Sequence, residues 1–194
     1  MKKLCITLDD VIRAKSLQFG KIYKKHIDND IDLDSIDMSK DLREAFNFES
    51  KNEYMQYLYT DYPFEIFGEA PVVEKGVDKK LNLWHINVSK NYEDLELMLA
   101  NPREWNASIG FTCFFLSQIA TRIREIFFPK DFAEIWDRCD IAVTADRGLL
   151  EEKPEGKISI KIETPYNKDC PADYTYESLS AFLDDEEIMD KLMS

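Results

Sequence analysis

The sequence predicts an α/β domain, a largely parallel sheet layered between helices, with a helical segment inserted after the first strand–helix unit. Three observations carry that prediction. Short β-rich apolar runs alternate with stretches of helical periodicity, the order expected of βαβ units. The runs near residues 3–8 and 139–145 are mostly apolar, as strands buried on both faces are. Residues 26–92 interrupt the alternation with acidic and aromatic helical material, leaving 1–25 and 93–194 as the α/β core.

Residues 3–8 read as the first buried strand, ending at Asp9 and Asp10. Residues 11–25 read as a helix, with Val11, Ile12, Phe19, Ile22 and Tyr23 on one stripe and Lys15, Lys21, Lys24 and Lys25 opposite. In 28–41, Asp alternates with Ile, Leu and Met, but the glycine and terminal glutamate of a calcium loop are missing, so an extended acidic linker is predicted. A helical stretch at 44–62 follows, with Ser50 as N-cap and Glu53 placed for a capping box. Pro63, Gly68 and Pro71 punctuate its end. Residues 95–100 form the next strand, stopped by Asn101-Pro102, and 107–128 carry a long helical stripe through Phe111, Phe115, Ile119 and Ile126. Strands at 139–145 and 157–163 and an acidic helix at 178–193 complete the pattern. In such sheets ligands sit beyond the carboxyl ends of the strands, which here are Thr7 to Asp10, Asn101 and Asp146.

The 194 residues suit one core domain with an insertion, and 44% hydrophobic content excludes global disorder. A net charge of −13 argues against a surface built to hold nucleic-acid phosphates, so no direct nucleic-acid contact is expected. Four scattered cysteines with no C-x-x-C read as free thiols in a reducing compartment, and only His26 and His85 could help them bind zinc. The start lacks the apolar region of a signal peptide, and no run approaches the ~20 apolar residues that cross a bilayer. A soluble intracellular protein without membrane partners is expected.

T-L-D-D-V at 7–11, C-D-I-A-V-T-A-D-R at 139–147, Lys153-Pro154 and I-K-I-E-T-P-Y-N at 160–167 then come together. In these motifs the chain resembles the haloacid-dehalogenase-like (HAD) superfamily, its deoxyribonucleotidase-type branch in particular. The resemblance implies a three-layer Rossmannoid sheet with a helical cap inserted after the first helix. It also implies a strand followed by D-x-D-x-T/V, whose second aspartate maps to Asp9 and whose closing position maps to Val11. The first, phosphate-attacking aspartate maps to Thr7. In the late acidic motif Asp146 takes the second acid and Ala145 the first. The phosphate-holding Ser/Thr maps to the region of Asn101, Ser108 and Thr112, of which Ser108 is taken forward. For the phosphate-holding lysine Arg122, Arg124, Lys130 and Lys153 are available, and Lys153 is taken forward.

The departure at Thr7 decides the chemistry. Covalent phosphoryl transfer needs a carboxylate nucleophile beside a carboxylate-held magnesium, and a threonine hydroxyl is a poor nucleophile without a base. Thr7 and Ala145 together remove two acidic ligands, leaving Asp9 and Asp146. The expectation is therefore a catalytically inactive HAD-like fold needing no cofactor, used as a structural or protein-binding subunit in a homo-oligomer or larger assembly. Tyr54, Tyr57, Tyr59 and Tyr62 are its candidate interface, since tyrosine is enriched at protein contacts. The I-T-L-D-D-V-I-R wording further resembles small HAD-like proteins of tailed phages, the crAss-like phages of gut bacteria included, which implies a virion ring between portal and tail. The alternative is a Mg²⁺-dependent 5'-nucleotidase or phosphatase with Asp9 as acid/base and Asp146 as metal ligand, and a smaller one is phosphate binding by backbone N–H groups without turnover. Plainer roles compete: Asp9-Asp10 as a helix cap, Asp146 and Tyr166-Asn167 as turn residues, and His85 as packing.

Overall fold

The computed structural model describes residues 1–194. Six parallel strands form one sheet in the order β3-β2-β1-β4-β5-β6. They are β1 (Lys2–Thr7), β2 (Leu95–Ala100), β3 (Glu125–Phe127), β4 (Ile141–Thr144), β5 (Ile158–Ile162) and β6 (Tyr174–Tyr176). The chain steps outward from β1 to β3, then returns to β4 on the other side of β1. Strand order therefore reverses at β1, and the register pairing Thr7 with Ala100 and Ile6 with Val143 opens a crevice beyond the carboxyl ends there.

Period-2 alternation gives the sheet two buried faces. On one, Leu4, Ile6, Leu99, Val143 and Ile160 pack against α4 (Val77–Asn91), α5 (Ala107–Ile119), α8 (Leu179–Asp184) and α9 (Ile188–Met193). On the other, Cys5, Met98 and Ala142 meet α6 (Phe132–Arg138) and α7 (Arg147–Glu151). There the buried Trp136 indole donates to the Leu149 carbonyl at 3.1 Å, so its one polar atom is satisfied. Each fully buried aliphatic contributes about 1.5–3 kcal/mol, which makes this double-sided packing the main source of stability.

A separate cap core gathers around α1 (Lys15–His26), α2 (Leu42–Ala45), α3 (Lys51–Gln56) and two π-helical turns, Tyr57–Asp61 and Phe64–Gly68. Phe19 lies 5.0 Å from the rings of both Phe46 and Tyr57, edge to face. The close approach of Phe46 to α1 depends on Gly20, where a Cβ would sit 3.2 Å from the ring.

Several sequence expectations change on contact with the fold. The expected insertion 26–92 divides: Val77, Leu81, Trp84 and Val88 form a helical stripe that faces the sheet, so α4 belongs to the core layer. Phe19 and Ile22 of α1 conversely lie in the cap. The helix expected over 11–25 starts only at Lys15, because residues 8–13 coil tightly, with the Leu8 carbonyl accepting from Ile12 and Arg13, both at 2.9 Å. The stretch 44–62 breaks at Asn47, whose φ is +53°. Ser50 does cap α3, accepting from Glu53 N–H at 3.1 Å, but the Glu53 carboxylate takes the Glu49 N–H at 2.9 Å, so only half of the box forms. The helix expected over 107–128 stops at Ile119, with Ala120 left-handed, and Ile126 lies on an edge strand instead. Isolated Ile123 and Ile126 fit either period, and pairing with β2 decides. The last helix divides at Asp185, which ends α8 in extended backbone and whose side chain accepts from Ile188 N–H at 3.1 Å at the start of α9.

Two buried polar side chains fix the loop after β5. Lys161 donates through Nζ to the carbonyls of Asn167, Lys168 and Cys170 at 3.5, 3.2 and 2.9 Å. Asn167 donates to the carbonyls of Ala145 and Ile162 at 3.0 and 2.9 Å and accepts from Thr164 N–H at 2.9 Å. The loop is thereby tied to the ends of β4 and β5. No helix is long and apolar enough to cross a membrane.

Candidate functional site

The crevice at β1 and β4 forms a cleft of about 360 Å³ between sheet and cap. Thr7, Asp9, Asp10, Asn101, Ala145 and Asp146 line it from the core, while Met38, Leu42 and Tyr54 approach from the cap.

Thr7 is 2% exposed, and its hydroxyl donates across the sheet to Thr144 Oγ1 at 3.0 Å. The same Thr144 oxygen accepts from Asp146 N–H at 3.0 Å. No carboxylate contacts the Thr7 oxygen to remove its proton, so the hydroxyl is a structural rung between β1 and β4.

Asp9 stands two residues on, in the tight loop after β1. Its Oδ1 accepts from Arg13 Nη2 and Nε at 2.5 and 2.9 Å, and its Oδ2 accepts from Lys15 Nζ at 2.8 Å. Arg13 is fully buried, and its guanidinium also donates to Glu104 at 2.8 Å, Thr112 Oγ1 at 2.6 Å and the Phe67 carbonyl at 3.0 Å. Phe67 and Phe115 flank it at 5.2 and 5.5 Å, a cation–π sandwich. One side chain thus joins the β1 loop, α5 and the cap.

The electrostatics follow from this network. Burial alone would raise the Asp9 carboxyl, but Arg13 and Lys15 outweigh it and hold Asp9 below the ordinary carboxylate range. Burial opposes the charges of Arg13 and Lys15, and the facing carboxylates outweigh it, so both are held more firmly protonated. Burial pushes Asp10 upward, against hydrogen bonds from Ser16 N–H at 2.9 Å and Ser16 Oγ at 2.5 Å. Asp10 reaches Ser16 through a left-handed φ of +57°. Ala14 is the N-cap residue of α1, but Asp10 caps the first turn from outside the helix by accepting the Ser16 N–H, which Asp9 does not.

Asp146 lines the cleft but caps α7, its Oδ1 accepting from Gly148 and Leu149 N–H at 2.8 and 3.3 Å. Arg103 approaches the same oxygen at 3.4 Å. Ser108 is not on the cleft wall: it is buried in the first turn of α5, donating to the Trp105 carbonyl at 2.7 Å and accepting from Trp105 N–H at 2.9 Å. Lys153 is also elsewhere, near the start of β5, donating to the Lys157 carbonyl at 3.0 Å and pairing with Asp173 at 3.1 Å. Neither side chain faces the cleft: each is spent on local backbone or on an ion pair outside it.

Of the four tyrosines, Tyr57 and Tyr59 are buried in the cap. Tyr57 OH donates to the Phe19 carbonyl at 3.2 Å. Tyr62 is half-buried and stacks on His26 at 4.4 Å. Tyr54 is half-buried at the cleft rim, and burial pushes its phenol up to about 12.

Thr7, Asp9 and Asp146 are brought to one cleft, and Ser108 and Lys153 are not. Sequence reasoning missed Arg13, Glu104 and Arg103. The Asp9–Arg13 spacing was a visible hint, whereas Glu104 reaches Arg13 only through the fold. Three or more His, Cys, Asp or Glu side chains placed to share a metal ion occur nowhere in the chain.

No protein-family model and no curated protein sequence matches the chain. Among solved structures it is similar to the putative HAD-hydrolase YfnB from Bacillus subtilis, bound to magnesium, with a TM-score of 0.54 and 13% identity over 100% of this chain and 99% of that one. It is also similar to a dehalogenase in an intermediate complex, with a TM-score of 0.53 and 8% identity over 94% of this chain and 95% of that one. These likenesses run the length of both partners and, with the single parallel sheet and its flanking helices, show that this chain carries the α/β fold of haloacid-dehalogenase-like hydrolases.

Proposed function

We propose that the chain is a HAD-like fold without phosphoryl-transfer chemistry, serving as a protein-binding or structural subunit. One observation carries this reading: the residues at the catalytic positions are consumed by the fold. Thr7 donates to Thr144, and Asp9 is clamped by Arg13 and Lys15 at 2.5 to 2.9 Å.

A general base must be within reach of the proton it takes and basic enough to hold it. Asp9 is held below the ordinary range, and both of its oxygens already accept from cations. The residues present do not fit magnesium either. An octahedral Mg²⁺ is usually bound through one or two free carboxylates, whereas Asp9 is neutralised by Arg13 and Lys15 and Asp146 Oδ1 closes a helix. An enzymatic step through the ion has no support from this donor set. The wording at residues 6–13 supports placing the subunit in a virion assembly between portal and tail.

The test is hydrolysis of p-nitrophenyl phosphate with Mg²⁺ by wild type and by Asp9→Asn. The expected result is no rate above the protein-free blank for either. A magnesium-dependent rate in wild type that the variant loses overturns the proposal. Light scattering on the purified chain, alone and mixed with candidate virion proteins, tests the assembly role, and a strict monomer in every mixture counts against it.

A further inference from the structure

A second concavity, of about 630 Å³, opens beside the cleft between α3, the cap turn Tyr57–Asp61 and the loop after β2. Its lining contradicts the composition of the chain. Overall, 38 acidic residues outnumber 25 basic ones, yet five basic residues line this groove, Lys15, Arg43, Lys51, Arg103 and Lys130, against Asp41 and Glu104. Lys15 is paired with Asp9 at 2.8 Å, so the balance lies between Asp41 and Glu104 on one side and Arg43, Lys51, Arg103 and Lys130 on the other. Glu104 is a fully buried partner of Arg13, and Asp41 accepts from Arg43 N–H at 3.0 Å as the cap of α2. Arg103 approaches Asp146 at 3.4 Å, and Lys51 and Lys130 are exposed, so basic side chains outnumber acidic ones in this groove although the whole chain is acidic.

The loop that supplies one wall is built to present side chains. Arg103 and Asn106 both hold left-handed backbone, with φ of +65° and +54°, a cost that persists only where the surroundings impose it. Asn101 and Glu104 point inward and bond to each other at 2.5 Å, while Ser108 clasps both backbone polar groups of Trp105. Tyr59 OH donates to the Arg103 carbonyl. The result is Trp105 held 58% exposed, edge-on to Tyr59 at 5.9 Å. An exposed indole on a pinned loop loses little conformational freedom on binding. Trp, Tyr and Arg are also the residues that dominate binding energy at protein contacts.

From this combination we infer that the groove between α3 and the Arg103–Trp105 loop is a docking site for an acidic peptide segment of a protein partner. Carboxylates of the segment would meet Lys51, Arg43, Arg103 and Lys130, and an apolar or aromatic side chain would lie on Trp105. Charge complementarity selects the partner: on a chain of net charge −13, an acidic segment meets an excess of basic side chains in this groove. In naming a protein partner the inference rests on the binding-subunit reading above, but it does not involve Thr7 or Asp9.

The probe is a fluorescein-labelled copolymer of glutamate and tyrosine, titrated by anisotropy with the full chain at low salt. Saturable binding is expected, weakened by salt and weakened roughly tenfold or more by Lys51→Glu with Lys130→Glu and by Trp105→Ala. Circular dichroism would show these surface variants folded. Absence of saturable binding, or equal binding by all variants, overturns the inference. So does saturable binding of AMP through the same residues where the copolymer fails, which assigns the groove to a phosphate ligand. An oligomer of the chain alone that the charge reversals dissolve, with no copolymer binding, assigns it to a second copy and also overturns it. Turnover in the p-nitrophenyl phosphate assay would instead sink the inactive-fold reading and leave the titration to stand on its own result.

Discussion

Around β1 the sheet buries Leu4, Ile6, Leu99 and Val143 in a cluster of 24 residues of which only Trp84, Phe115 and Phe182 are aromatic. In the cap, five of nine buried residues are aromatic: Phe19, Phe46, Tyr57, Tyr59 and Phe67. The sheet has a continuous backbone ladder beneath its side chains, and the cap beyond α1 has only short helical pieces. Its geometry therefore depends on ring-against-ring packing, and elements with little continuous hydrogen bonding open at the lowest free energy. The difference teaches that the core holds the architecture while the cap holds an adjustable surface, with Arg13 as the member common to both.

Breaking that shared member should have the largest effect. Arg13→Ala leaves Glu104 buried without its cation and Asp9 with Lys15 alone, and is expected to cost about 3–5 kcal/mol in urea unfolding; a loss below about 1 kcal/mol would show that the clamp does not couple the two regions. Its pH signature follows from Asp9. A carboxyl depressed in the folded state contributes stability above its unfolded pKa and loses it as pH falls through the folded value. Wild type should therefore lose stability below the ordinary carboxylate range, and Arg13→Ala should lose less there. Unchanged acid limbs would refute the assignment.

Phe19→Ala removes the centre of the ring cluster, for which about 3 kcal/mol is expected. Amide exchange should speed up across α2, α3 and the cap turns, while β1 and β4 keep their protection. Equal acceleration in both regions would merge them into one cooperative unit. Gly148→Ala probes the opposite layer of the sheet, where an added Cβ collides with the Phe132 ring. About 1–3 kcal/mol is expected by thermal melting, with no change in cap exchange. Ser50→Ala should be mildest, about 1 kcal/mol, visible as a small drop in melting temperature.

The same contrast explains what was legible in the sequence. Residues 3–8, 95–100, 139–145 and 157–163 announced β1, β2, β4 and β5, because strands buried by two layers need apolar runs whatever lies elsewhere in the chain. β3 and β6 are three-residue edge strands whose existence depends on pairing, so they carried no local signal. The place of α4 in the core was hidden for a related reason: an apolar stripe reveals a buried face but not which body buries it. At the candidate site Thr7, Asp9 and Asp146 were readable from strand ends. That Asp9 is clamped was not, because Glu104 and Phe67 join Arg13 across gaps of 91 and 54 residues.

The buried Lys161 has a further consequence. Its ammonium, ringed by three backbone carbonyls, does for the 163–170 turn what a coordinated alkali ion does in other proteins, except that the charge is covalently tethered. A tethered charge can be neither diluted away nor chelated. Tyr166, at the mouth of the cleft, directly precedes the first of these tethered carbonyls, and its position should persist across ionic conditions that would loosen an ion-dependent turn.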